Sequence, residues 1–284
     1  MVNQENKSPL CAFSISCTGY SHKKSGKPCQ DHSCHFQDTD RVIITACDGH
    51  GGSLYIRSQI GSRLASEAVC RVFGAIKEDT LVSHEKLRLD LLCTWNAAVE
   101  EDLSKHPFVE EELQGLSVEQ RFLLEQNPFL AYGTTMHGAM ILGNQLYCAS
   151  IGDGGIFSII GDEVVPIFEG EDEETVANVT HSMCEEHAGK HLQIAILDLE
   201  EGENILACTD GTVNPYHSLS NFGKSFVLPI LREAKTGNLP KISQFMALLG
   251  DKIGIGDDVS LAMIFHMEEK QEQEEKPENP EETE

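Results

Sequence analysis

The sequence is short of cationic side chains, with 21 Lys and Arg against 46 Asp and Glu, and it has one tryptophan and no Cys-x-x-Cys pair. Each shortage excludes something. A net charge of −25 gives no electrostatic grip on nucleic acid or on an anionic membrane surface. Without paired cysteines a zinc-knuckle site has no support. The ten cysteines are scattered singly through a chain too long for a disulfide-stapled fold, and Cys47, Cys148 and Cys208 sit in apolar runs where a thiol acts as a small hydrophobe. No stretch reaches the roughly 20 apolar residues that span a bilayer. Residues 1–10 are polar and lack a signal-like apolar region. A cytoplasmic, reducing setting is expected.

What is present is enough for a packed core, since 40% of residues are hydrophobic. The acidity is not confined to one place. Glu268 to Glu284 holds nine Glu and two Lys, an expected disordered tail over 267–284, yet a net charge of −18 remains on the rest. A chain this acidic that handles anions must recruit positive charge, and bound cations are one source.

Residues 1–10 read as a disordered N-terminus and 11–266 as a single domain. Strand patterns fall at 11–19, 31–36 and 41–47, and helical periodicity covers 54–76 and 85–103. Residues 104–127 read as an inserted helical excursion, with Ser117 capping a helix. A strand meander covers 132–142, 145–151, 155–160 and 163–168. The acidic, aperiodic stretch 169–190 reads as a mobile flap, and His181 and His187 in it with His191 just after it fit no common ligand spacing and read as solvated. Strands at 191–197 and 204–209, helices near 219–234 and 242–249, and a strand at 259–266 complete the chain. Strands and helices come in blocks rather than in strict alternation, which predicts an α+β fold with antiparallel sheets.

Aspartates recur at strand ends. Asp48 follows VIITAC, Asp153 follows LYCASIG, Asp210 follows ILACT, Asp257-Asp258 precede VSLAMIF, and Asp31 opens the strand after Gln30. Any one Asp-Gly at a strand end is most simply a turn. Several strands of one sheet end side by side, however, so these carboxylates can converge on one rim. Packed carboxylates repel and raise one another's pKa, and hard divalent cations with oxygen ligands relieve that repulsion.

The ordered series CQD (29–31), DGHGG (48–52), GTT (133–135), GDGG (152–155), TDG (209–211) and GDDVS (256–260) resembles the metal-dependent protein phosphatases of the 2C type (PPM/PP2C), in a divergent, bacterial-like version. The resemblance implies an αββα sandwich, two central antiparallel β-sheets flanked by pairs of helices. It implies hydrolysis of phosphoserine and phosphothreonine on a protein substrate at a binuclear Mg²⁺ or Mn²⁺ centre, with a third, weaker ion. Asp48, the Gly49 carbonyl, Asp210 and Asp257 would hold the core ions, and Asp153 the third. Gln30, where many relatives have a Glu that orients a metal-bound water, and Asp31, the acid beside it, would complete the metal site. His50 would be the general acid. A monomer with no nucleic-acid or membrane partner is expected.

Three positions depart from the family pattern. Gly26 stands where many relatives have a phosphate-clamping arginine, leaving Lys23, Lys24 and Lys27 as candidate substitutes. Asn214 replaces an acid four residues after Asp210, and Gly154-Gly155 replaces a common Ser-Arg. A catalytically weak pseudophosphatase, acting as a binding or regulatory module, is therefore the alternative expectation.

Overall fold

Apolar residues alternate along Arg41–Cys47, and the alternation divides them between two interfaces. Val42, Ile44 and Ala46 join one buried cluster, whereas Ile43 and Cys47 join another. A strand apolar on both faces must lie between two layers, and the same is true of Val259–His266.

The structure, a computed structural model, describes residues 9–168 and 180–267. The flap expectation therefore lies outside the described residues over 169–179, and so does the tail expectation beyond Met267. In chain order the elements are β1 (Leu10–Cys17), α1 (Tyr20–Ser25), β2 (His32–Gln37), β3 (Arg41–Cys47), α2 (Ser58–Gly74), α3 (His84–Lys105), α4 (Glu110–Leu113), α5 (Val118–Gln126), β4 (Met136–Leu142), β5 (Gln145–Ile151), β6 (Gly155–Ile160) and β7 (Glu163–Pro166). They continue with α6 (Ala188–His191), β8 (Gln193–Asp198), β9 (Asn204–Cys208), α7 (Asp210–Val213), α8 (Leu219–Phe222), α9 (Leu228–Lys235), α10 (Leu239–Leu249) and β10 (Val259–His266).

Two five-stranded antiparallel sheets form, in the orders β1-β10-β9-β6-β7 and β2-β3-β4-β5-β8. Val42, Ile44, Ala139, Ile141 and Cys148 of one sheet pack against Ile156, Ile205, Ala207 and Ile264 of the other. Leu64, Ala68 and Val72 of α2 and Leu87, Leu91 and Trp95 of α3 cover the outer face of the second sheet. Phe222, Phe226, Ile230 and Met246 cover the outer face of the first. The fold is α+β, an αββα sandwich.

Local chemistry sets several boundaries. Ser83 caps α3 by accepting from Lys86 N at 3.2 Å. Ser117 and Gln120 form a reciprocal capping box at the start of α5. Two expectations need correction. The helix expected from Leu54 starts at Ser58, because Gly51 to Arg57 turns to bring Tyr55 against His50, ring centroids 4.9 Å apart. The strand expected from Tyr132 starts at Met136. Pro128–Tyr132 is instead a 3₁₀ turn that places the Tyr132 hydroxyl 2.6 Å from Asp102 Oδ2 and 2.7 Å from Arg57 Nη1.

Candidate metal centre

Antiparallel register brings the aspartates together. His32 pairs with Cys47, Met136 with Ile151, Cys17 with Val259, and both Gly155 and Leu261 with Cys208. The head of β2, the foot of β3, the β5–β6 turn, the end of β9 and the head of β10 thus share one end of the sandwich. Carboxylate oxygens of Asp48, Asp153 and Asp210 all lie within 4.8 Å of one another. Asp31 is buried behind them, beside Asp48, and accepts from Thr209 Oγ1 at 2.9 Å.

Bare carboxylates are poorly placed here. Burial, then the charge of Asp31 and its hydrogen bond, then Asp210 and Asp153, hold Asp48 well above the ordinary carboxylate range. Burial also pushes Asp31 up to about 7, and burial with the charge of Asp153 pushes Asp210 up to about 6. An all-oxygen donor set that cannot comfortably hold its own charge fits hard divalent cations. A second feature agrees: Gln30 is buried, yet its Oε1 has no hydrogen-bond partner, while its Nε2 donates to Ser58 Oγ at 2.6 Å.

The surrounding backbone is fixed around these groups. The Asp48 carbonyl accepts from Thr135 N and Thr134 Oγ1, both at 2.8 Å. A Cβ on Gly49 would meet the Gln30 and Ser58 carbonyls at 2.6 and 2.7 Å, so only glycine fits. His50 lies beside the carboxylates. Burial pushes its imidazole pKa down, opposed by the charges of Asp153 and Glu185.

Asp257 and its neighbour divide their work. Asp257 is exposed and its charge reaches Asp210. Asp258 turns inward, accepting from the N–H groups of Gly19 and Gln30, both at 2.6 Å, with His22 Nδ1 2.9 Å away. It thereby ties α1 and the segment leading into β2 to β10.

Lys23 and Lys24 of α1 and Lys27 just after it are exposed, and of the three Lys27 reaches a cleft, one shared with Pro28, Gln30, Gly52 and Tyr55. Gly26 closes α1 at φ +72°, a left-handed conformation in which an arginine would be strained. Asn214 donates to Asp210 Oδ2 at 2.9 Å, and Thr180 to Asp153 Oδ2 at 2.6 Å.

Sequence reading missed other contributors. His137 is wholly buried in β4, its Nε2 donating to the Asp153 carbonyl at 2.6 Å and its Nδ1 2.8 Å from Ser150 Oγ. It fixes the loop that carries Asp153. A polar residue in an apolar strand was the available signal. The solvated reading of the histidines also fails in part. His181 and His191 stack with centroids 3.4 Å apart, and Glu185 lies 3.2 Å from His181 Nδ1. Both rings border the 480 Å³ cleft that contains Asp153 and Asn214.

Among the described residues no helix is long and apolar enough to cross a membrane. A family model described as protein phosphatase 2C matches residues 18–246. No curated protein matches this sequence. Among solved structures, a bacterial serine phosphatase superposes with a TM-score of 0.60 at 15% identity, over 92% of this chain and all of the other. PppA, described as a key regulatory component of the T6SS in Pseudomonas aeruginosa, gives 0.57 at 20% identity over 91% and 98%. The catalytic domain of the serine/threonine protein phosphatase PstP, solved with two manganese ions, gives 0.56 at 15% identity over 91% and 99%. By its motifs, its sandwich and the extent of this match, the chain belongs to the protein phosphatase 2C family.

Proposed function

We propose that the protein hydrolyses phosphoserine and phosphothreonine monoesters on proteins, using Mg²⁺ or Mn²⁺ held at the aspartate rim. The observation that carries this reading is the convergence of Asp48, Asp153 and Asp210, whose oxygens lie within 4.8 Å of one another, at a site where burial disfavours the charge of Asp48 and Asp210. Asp48, Asp210 and Asp257, with the Gly49 carbonyl, would hold two core ions, and Asp153 a third. When bound, such ions offset the dianionic phosphate and lower the pKa of an attacking water towards neutrality.

The chain's own groups supply the rest. Gln30 Oε1, buried and unpartnered, accepts a hydrogen bond from water at the cleft, with Asp31 behind it. Attack of water on phosphorus forms one P–O bond and breaks the bond to the seryl or threonyl oxygen. That alkoxide is a poor leaving group, and His50 gives it a proton. Tyr55 packs edge-on against the His50 ring and holds its orientation. Lys27, on the cleft it shares with Gln30 and Gly52, would contribute a point charge where an arginine would have formed a fork. The partner is a phosphorylated protein substrate, on which the chain would act as a monomer in the cytoplasm, with neither nucleic acid nor membrane involved.

Gly26 and the exposed Lys23 and Lys24 favour a second reading, a pseudophosphatase that binds phosphoproteins without turnover. Phosphate release from a phosphothreonine peptide, measured with Mn²⁺, Mg²⁺ or EDTA, separates the two. Metal-dependent release that collapses in Asp210→Ala supports the enzyme, and no release from the folded protein under any metal supports the binding module.

A further inference from the structure

Away from the aspartate rim, two cysteines 36 positions apart meet between β2 and α2. Cys34 Sγ and Cys70 Sγ are 3.3 Å apart. Of the ten cysteines, all of them unpaired thiols, these two have their sulfurs in direct contact with each other. Cys34 faces α2 from the edge strand of its sheet, in register with Thr45 of β3. Ser66 Oγ of α2 donates to Cys34 Sγ at 3.2 Å, and Thr45 Oγ1 lies 3.4 Å from the same sulfur. Both cysteines are half-buried, neither sealed in the core nor fully exposed.

We infer that Cys34 and Cys70 form a dithiol site that hydrogen peroxide converts into a disulfide, which a thiol reductant reverses. The hydrogen bonds identify Cys34 as the attacking sulfur. Donation by the Cys70 thiol, and then by the Ser66 and Thr45 hydroxyls, pulls the Cys34 pKa below that of an ordinary thiol and raises that of Cys70. The Cys34 thiolate attacks one peroxide oxygen and breaks the O–O bond, giving a sulfenic acid and releasing hydroxide. Cys70 sulfur then attacks the Cys34 sulfur and expels the hydroxyl as water. Two thiols lose two electrons and the peroxide becomes two waters. The sulfurs move from 3.3 Å to a bond of about 2.05 Å, an approach of about 1.2 Å. The other cysteines lack this arrangement. Burial and the charges of Asp258 and Asp31 push Cys29 up, and Cys93 is exposed without a thiol neighbour among the described residues.

The test uses the full chain, reduced, desalted, exposed to a few equivalents of hydrogen peroxide, alkylated and mapped by peptide mass spectrometry. A peptide joining Cys34 to Cys70 in more than about half of the chains, lost on treatment with dithiothreitol, is expected for so close a pair. In Cys70→Ser, dimedone is expected to label Cys34 as a sulfenic acid, because no second thiol resolves it. Alkylation of both cysteines as free thiols after peroxide would overturn the assignment, and so would either one pairing preferentially with another cysteine. The wild-type peptide map stands even if a variant folds poorly.

Discussion

Asp31, just before β2, and Asp48, at the foot of β3, bring their carboxyl groups together at the buried end of the sandwich, where burial and then the charge of Asp31 raise the cost of charge on Asp48. Two buried carboxyl groups set together cannot both carry their charge comfortably, so the metal-free site favours protons. Cations and protons therefore compete for the same oxygens.

That competition sets the pH dependence of the metal-free protein. Asp31 is raised to about 7 and Asp210 to about 6, both above the ordinary carboxylate value of about 4. The folded state then binds more protons than the unfolded chain between roughly pH 4 and pH 7. Stability from these groups is fully present below pH 4 and is lost as pH rises towards 7. Melting temperatures in EDTA are expected to fall from pH 5.5 to pH 7.5, and millimolar Mn²⁺ to raise them more at pH 7.5 than at pH 5.5. An equal metal effect at both pH values contradicts the competition.

His50→Gln separates proton donation from substrate binding. Phosphothreonine hydrolysis is expected to fall by about 100-fold or more. An aryl phosphate, whose leaving group needs no proton, is expected to lose less than about tenfold. Steady-state rates on the two substrates decide, and equal losses on both would remove His50 from the acid role.

Gly49→Ala tests the close approach on which the site depends. The added Cβ meets two backbone carbonyls, which cannot swing away as a side chain would. A loss of about 2 kcal/mol in urea denaturation is expected, together with loss of metal-dependent activity. Wild-type stability in this variant would show that the Gln30 and Ser58 carbonyls are not fixed.

Arg57 anchors the helical excursion. It is buried, forms two hydrogen bonds of 2.8 Å with Glu112, and donates to the His106 carbonyl and the Tyr132 hydroxyl, each at 2.7 Å. Arg57→Ala is expected to cost about 3 kcal/mol and to open residues 104–127 to limited proteolysis. Protease resistance unchanged from wild type would show that the excursion docks by other contacts.

Much of this was legible in the sequence because it is local. Strand alternation at 41–47, the Ser117 capping box and the Asp-Gly strand ends are each decided within a few residues. The illegible parts depend on distant partners. Tyr132 reads as strand until Arg57 and Asp102 bind its hydroxyl. Asp257 and Asp258 are alike in sequence, yet the backbone turns one outward and uses the other to hold Gly19 and Gln30. The His181–His191 stack and the Cys34–Cys70 contact pair residues that no periodicity relates.

The most direct measurement is calorimetric titration of the metal-free protein with Mn²⁺ at pH 6.5, for wild type and Asp48→Asn, with proton release followed in buffers of different ionisation enthalpy. Two or more ions are expected to bind wild type with release of protons, and Asp48→Asn is expected to lose that binding while staying folded. Absence of Mn²⁺ binding by folded wild type, or equal binding by the variant, would contradict the assignment of the aspartate rim as the metal centre.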